Sequence, residues 1–83
     1  LFVFPTPRSV NFWMKNTYVP LDIIFITPDL NISSIHYNAM PLDLTPIPSR
    51  VPVTAVLEVR AGEAARLGLK KGQKISHPAL ALP

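Results

Sequence analysis

Proline interrupts this chain so often that long regular elements are excluded. Ten prolines fall at positions 5, 7, 20, 28, 41, 46, 48, 52, 78 and 83 of 83 residues, against a usual frequency of about 5%. Each lacks a backbone N–H and holds φ in a narrow range, so it resists helix interiors and central strands. The prolines are dispersed, so the chain is not a low-complexity tract. Short strands and structured turns are what remain.

The rest of the composition limits the class further. Apolar residues make up 48% and charged residues 16%, which excludes intrinsic disorder. A chain of 83 residues is one domain at most, able to bury roughly 60–65% of its unfolded surface. No apolar run approaches the ~20 residues of a membrane-spanning helix, and no secretory leader is visible. The chain opens without an initiator Met, directly in a strand-like stretch, so an upstream part of a longer protein is expected before Leu1. With no cysteine, disulfides and thiol chemistry are excluded, and both oxidising and reducing compartments are tolerated.

Periodicity predicts a mainly β chain, α+β by strict count. Residues 1–4 read as a strand ended by Pro5-Thr6-Pro7. Residues 11–15 read as a second, with Phe12 and Met14 on one face and Trp13 and Lys15 on the other. Ile23 to Ile26 do not alternate, so the strand at 21–27 is buried on both faces at the sheet centre. A turn at 28–31 returns the chain through 32–37 as a hairpin. Residues 38–52 form a long Pro-rich loop whose Met40, Leu42, Leu44 and Ile47 imply that it packs on the sheet. Residues 53–60 alternate, with Val53, Ala55, Leu57 and Val59 on the buried face. One short helix fits 62–67, with Glu63 in its first turn and Gly68 as its left-handed cap, followed by apolar Leu69. A last strand is expected at 74–76. Pro20-Leu21-Asp22 recurs as Pro41-Leu42-Asp43, too short an echo to indicate duplication.

The densest chemistry lies in Phe12-Trp13-Met14-Lys15-Asn16-Thr17, followed by Pro20-Leu21-Asp22 and Ile23 to Ile26. With Thr45-Pro46-Ile47-Pro48-Ser49, Ala55-Val56-Leu57-Glu58, Ala61-Gly62, Ala64-Ala65, Gly68-Leu69 and Gly72, these motifs run in order through nearly the whole chain. Together they resemble domain of unknown function family 192, also called uncharacterised protein family 0127. The resemblance implies a small antiparallel β-barrel-like domain, relatives with extra N-terminal strands, and an exported or periplasmic setting. It implies no activity, because the family has none assigned. Two positions depart from it. Leu30 stands where relatives tend to carry a turn glycine, at a cost of about 1 kcal/mol or more if φ is positive there. Gln73 stands where relatives tend to be acidic, which weakens a charge-based role for that turn.

Trp13, Lys15, Asn16, Asp22 and Glu58 are the candidate ligand-binding residues. If the strands at 11–15, 21–27 and 53–60 are neighbours, Lys15, Asn16, Asp22 and Glu58 converge at one rim and can hold a small polar molecule. The competing reading is a structural ion pair plus a side-chain-stapled turn. Trp13 alternates away from the core, toward the long loop. The first functional reading is a non-enzymatic binding or accessory module for a small polar ligand or protein partner, with no catalytic residue, metal or cofactor assigned. His36 and His77 lack metal-ligand spacing, and Ser33 and Ser34 lack a nucleophile elbow. A second reading is nucleic-acid binding through the basic 60–74 stretch, where Arg60, Arg66, Lys70, Lys71 and Lys74 face only Glu63; the net charge of +3 is modest for that role. A third is a small hydrolase-like enzyme using Lys15, Asp22 and Glu58.

Overall fold

A computed structural model describes residues 1–14 and 17–76. The order is β1 (Phe2–Arg8), β2 (Asn11–Phe12), β3 (Leu21–Ile26), β4 (Ile32–Ala39), β5 (Ile47–Pro48), β6 (Val53–Arg60) and α1 (Glu63–Arg66). Four strands make an antiparallel sheet in the order β1-β6-β3-β4, and β2 pairs with β5 in a separate two-stranded ribbon. The mainly β class and the short helix follow the sequence. Strand pairing among the described residues does not close a ring, so β1 and β4 are both edges.

Apolar side chains cover both faces of the large sheet. On one face Ile23, Phe25, Val53 and Val56 pack with Met14, Ala39 and Ile47, flanked by Phe4, Val10, Phe12 and Leu21. On the other, Ile24, Ile26, Ile32 and Ala55 pack with Ala64 of α1, flanked by Leu57, Val59, Leu69 and Ile75. A strand covered on both sides has no reason to alternate, which accounts for the unbroken Ile23 to Ile26 run. β6 is likewise covered on both faces. Its alternation holds from Ala55 onward, but Val53 joins the Val56 side, next to a register shift in β1.

Three expectations change. β1 continues through Pro5 and Pro7 to Arg8, because an edge strand can leave its outward positions without an N–H; the register shift between Val3 and Arg8 absorbs the mismatch. Of the strand expected at 11–15, the described residues form only Asn11–Phe12, which pairs with β5 inside the long loop rather than joining the large sheet. The strand expected at 74–76 is a single bridge between Asn31 and Lys74.

The turns follow their local chemistry closely. Leu30 has φ 64°, the left-handed region that glycine occupies more easily. Its N–H reaches Thr27 O (2.8 Å) and the Thr27 N–H reaches Asn31 O (2.9 Å). Asp29 braces the loop by accepting from Thr27 Oγ1 and Asn31 Nδ2. At the end of α1, the Gly68 N–H donates to Ala65 O and the Leu69 N–H to Ala64 O. That pattern, with Gly68 at φ 72°, is a Schellman cap. Gln73 closes the next turn by accepting the Lys70 N–H at 3.0 Å, a task a neutral amide performs.

Candidate functional site

Of the candidate ligand-binding residues singled out from the sequence, the structure describes Trp13, Asp22 and Glu58, and it does not bring Asp22 and Glu58 together. Lys15 and Asn16 lie outside the described residues, as does His77. Trp13 is 53% exposed, while Met14 beside it is buried. The Met14 N–H reaches Asp43 O (3.2 Å) and the Leu42 N–H reaches Thr17 O (3.1 Å), which ties this segment to the long loop. Asp22 and Glu58 are on neighbouring strands but opposite faces. Asp22 is level with Val59 and Glu58 with Ile23, and those partners belong to different cores. The two carboxylates therefore do not form a pair.

Asp22 is 1% exposed and engaged with the backbone. Oδ1 accepts the Asn38 N–H (2.9 Å), and Oδ2 accepts the N–H groups of Gly62 (3.0 Å) and Ala64 (3.2 Å). Gly62 is the N-cap of α1 and has no side chain to cap with; Asp22 supplies the missing acceptor from β3. Asn38 sits at φ 54°, where β4 carries an extra residue opposite Leu21 to Ile23. One carboxylate thus ties a strand irregularity, the sheet centre and the helix start together.

Glu58 is half-buried, and burial pushes its carboxyl above the ordinary range. Among the described residues no group of three His, Cys, Asp or Glu side chains could hold a metal ion. The basic stretch is partly occupied: Arg66 Nη2 pairs with Glu63 Oε2 at 2.6 Å, and Lys74 Nζ donates to Asp29 O at 3.3 Å. Among the described residues no helix is long and apolar enough to cross a membrane.

The fold instead assembles a cleft that local sequence does not show. It has a volume of about 340 Å³ and lies between β4 and residues 47–51, with Lys71 at its border. The 47–51 segment is latched. Ser49, 3% exposed, accepts the Val10 N–H through Oγ (3.0 Å), donates to Val51 O (2.8 Å) and sends its own N–H to Val10 O (2.8 Å). The next residue, Arg50, lines the cleft with φ 67°, a conformation costing a non-glycine residue about 1 kcal/mol or more. Arg50 and Lys71 make no ion pair or side-chain hydrogen bond among the described residues, and no acidic residue lines the cleft. His36 is also in the lining. Its charge helps hold Asp43 below the ordinary carboxylate range, although the main cause is the Thr45 N–H that Asp43 accepts. A second cleft, of about 310 Å³, is lined by Leu1, Ile26, Leu57, Leu67, Leu69, Ile75 and Ser76, with no charged side chain among the described residues.

Arg50 was missed in the sequence because nothing in Pro48-Ser49-Arg50-Val51 signals its backbone conformation. Lys71 was visible only as one charge among five in the basic stretch.

Two solved structures share this architecture. One is a protein of unknown function from Novosphingobium aromaticivorans, 49% identical, with a TM-score of 0.82 over 87% of this chain and 51% of its own. The other is named as a candidate transcription regulator, from Sinorhizobium meliloti, also 49% identical with a TM-score of 0.82, over 87% of this chain and 56% of its own. The chain thus spans about half the length of each (51% and 56%). No curated protein matches it at a significant level. The family described as DUF192, Uncharacterized ACR, matches residues 1–77. On that match, over nearly the whole chain and through the motifs quoted from its sequence, this protein belongs to the DUF192 family.

Proposed function

We propose that this chain is a binding module, without catalytic chemistry of its own, whose ligand seat is the β4 cleft and whose ligand is anionic. One observation carries the reading. Arg50 and Lys71 border a cleft of about 340 Å³ with no acidic residue in its lining. Unopposed cations at a concave surface attract anions and raise their local concentration. Strain held at Arg50 (φ 67°) fits a residue kept for its position rather than for stability. Trp13 and Glu58, with Lys15 and Asn16, remain a second candidate surface for a polar ligand; Asp22, enclosed and bonded three times, supports the fold there.

Calorimetric titration with inorganic tripolyphosphate tests the main reading. Binding that weakens with salt, and is lost in the Arg50→Ala/Lys71→Ala double variant but kept in Glu58→Gln, is the expected result. No heat at low salt, or an unaffected double variant, would sink it.

The name of the Sinorhizobium relative favours a second reading, nucleic-acid binding through the basic 60–74 stretch. Arg66 is tied to Glu63 there, which leaves fewer charges for phosphates. A duplex or single strand that is not retarded at low salt would remove this reading. The cysteine-free chain also suits the exported setting that the resemblance implies. Fractionation of cells expressing the full-length protein tests that setting.

A further inference from the structure

Four consecutive residues of β4, Ser33, Ser34, Ile35 and His36, line the same cleft. Successive side chains on a strand point to opposite faces of the sheet. Ser33 is an extra residue opposite Phe25 to Ile26, but Ser34, Ile35 and His36 pair in regular register with Phe25, Ile24 and Ile23, so a cavity touching all three runs along the edge of the strand, against its backbone. β4 is the last strand of its sheet among the described residues, and such an edge presents unpaired N–H and C=O groups.

Both ends of this edge are closed. At the start, the Ile32 N–H donates to Gln73 O (2.9 Å) and Ile32 O accepts the Gly72 N–H (2.8 Å). At the far end, the extra residue and the positive φ of Asn38 (54°) break the strand's regularity. Between them lies a window over residues 33–36, roughly 10 Å long at the rise of an extended chain, with an extra residue at Ser33 and regular register over residues 34–36. The far wall is the 47–51 segment latched by Ser49, so the window is bounded rather than an open aggregation surface.

We propose, building on the anionic seat above, that the occupant is a short acidic peptide segment of another protein, added in extended form as a fifth strand on β4. Its main chain pairs with the backbone of residues 33–36. Its Asp or Glu side chains, two positions apart on one face, meet Arg50 and Lys71. In this mode main-chain hydrogen bonds provide affinity and side-chain contacts provide specificity. The charge complementarity selects acidic segments over neutral or basic ones.

The test uses an array of octapeptides with Asp or Glu at alternate positions and apolar or β-branched residues between, beside the same array with Lys in the acidic positions. The expected result is binding to acidic members only. Alternate N-methylation of the best binder should weaken it about tenfold, by removing main-chain donors. Arg50→Ala and Lys71→Ala should each weaken it by about tenfold, the scale of one hydrogen bond to a charged group. Amide exchange should slow at residues 33–36. If tripolyphosphate binds in an Arg50-dependent way while no peptide binds, or if N-methylation changes nothing, strand addition is overturned and the anionic seat stands. If neither peptide nor tripolyphosphate binds the folded protein, both fail. Exchange protection at β1 instead of β4 would also overturn the proposal, by placing the added strand on the wrong edge.

Discussion

The Asp22 junction and the β4 cleft are built on opposite principles. At the junction a buried carboxylate accepts three backbone N–H groups. At the cleft Arg50 and Lys71 have no partner among the described residues, and the backbone beneath Arg50 is strained. A site that serves the fold satisfies its own polar groups. A site that serves a partner leaves them for that partner. The comparison teaches that Asp22, prominent in the sequence motif, is engaged by the fold, whereas Arg50 and Lys71 keep their charged groups unengaged among the described residues.

The largest expected effect is at the junction. Asp22→Ala should cost about 2–4 kcal/mol, because it strips three backbone donors of their acceptor, one of them fully buried. That is a large share of the ~5–15 kcal/mol available to a domain. Asp22→Asn, which keeps one acceptor oxygen, should cost about half as much. Urea denaturation checks both, and a neutral Asp22→Asn would break the contrast. Ser49→Ala comes next. It releases the latch of the 47–51 wall and should cost about 1–2 kcal/mol, with a loss of anion binding that outruns the loss of stability. Unchanged binding in a less stable protein would show that the wall need not be rigid.

Arg50→Gly sharpens the comparison by moving stability and binding in different directions. It relieves a left-handed residue but adds freedom to the unfolded chain, for a net change of about 0–1 kcal/mol toward greater stability, while binding falls. Thermal unfolding beside tripolyphosphate titration checks both. A clear destabilisation would mean that the Arg50 side chain supports the fold. The smallest effect belongs to Glu58. Burial raises its carboxyl pKa, so the folded state holds that proton more tightly than the unfolded state does. Its contribution to stability therefore falls as pH rises from the ordinary glutamate value through the raised one. Glu58→Gln should remove that pH dependence and leave the protein more stable above the window. The side chain is only half-buried, so solvent screening limits the gain to a few tenths of a kcal/mol, about that of an exposed charge. Denaturation midpoints at several pH values check the sign.

Much of the architecture was legible because its causes are local. The unbroken Ile23 to Ile26 run identified a strand covered on both faces, since burial on two sides removes the need for polar alternation. Gly68 marked the end of α1 because glycine adopts the left-handed cap conformation without a Cβ penalty. Leu30 stands where relatives tend to carry a turn glycine, a position that is costly to leucine only if φ is positive, and its φ is 64°. β1 runs past Pro5, where the sequence predicts its end, because a proline forbids central strands but not edges, and edge status is a property of the whole sheet.

The sequence by itself determined the class, the central strand, the helix with its cap, and the family, all of which rest on composition, periodicity and ordered motifs. Tertiary structure alone decided which polar groups are spent and which are available. Pro20-Leu21-Asp22 and Pro41-Leu42-Asp43 are the same tripeptide. Yet Asp22 is enclosed at 1% exposure among three distant amides, while Asp43 is exposed and accepts the N–H of Thr45 two residues on. Likewise Arg50 and Lys71 come together only because the 47–51 segment and the turn after α1 both reach β4. Local sequence sets φ, ψ and side-chain periodicity within a few residues. Burial and convergence depend on partners tens of residues away, which only the folded chain brings into contact.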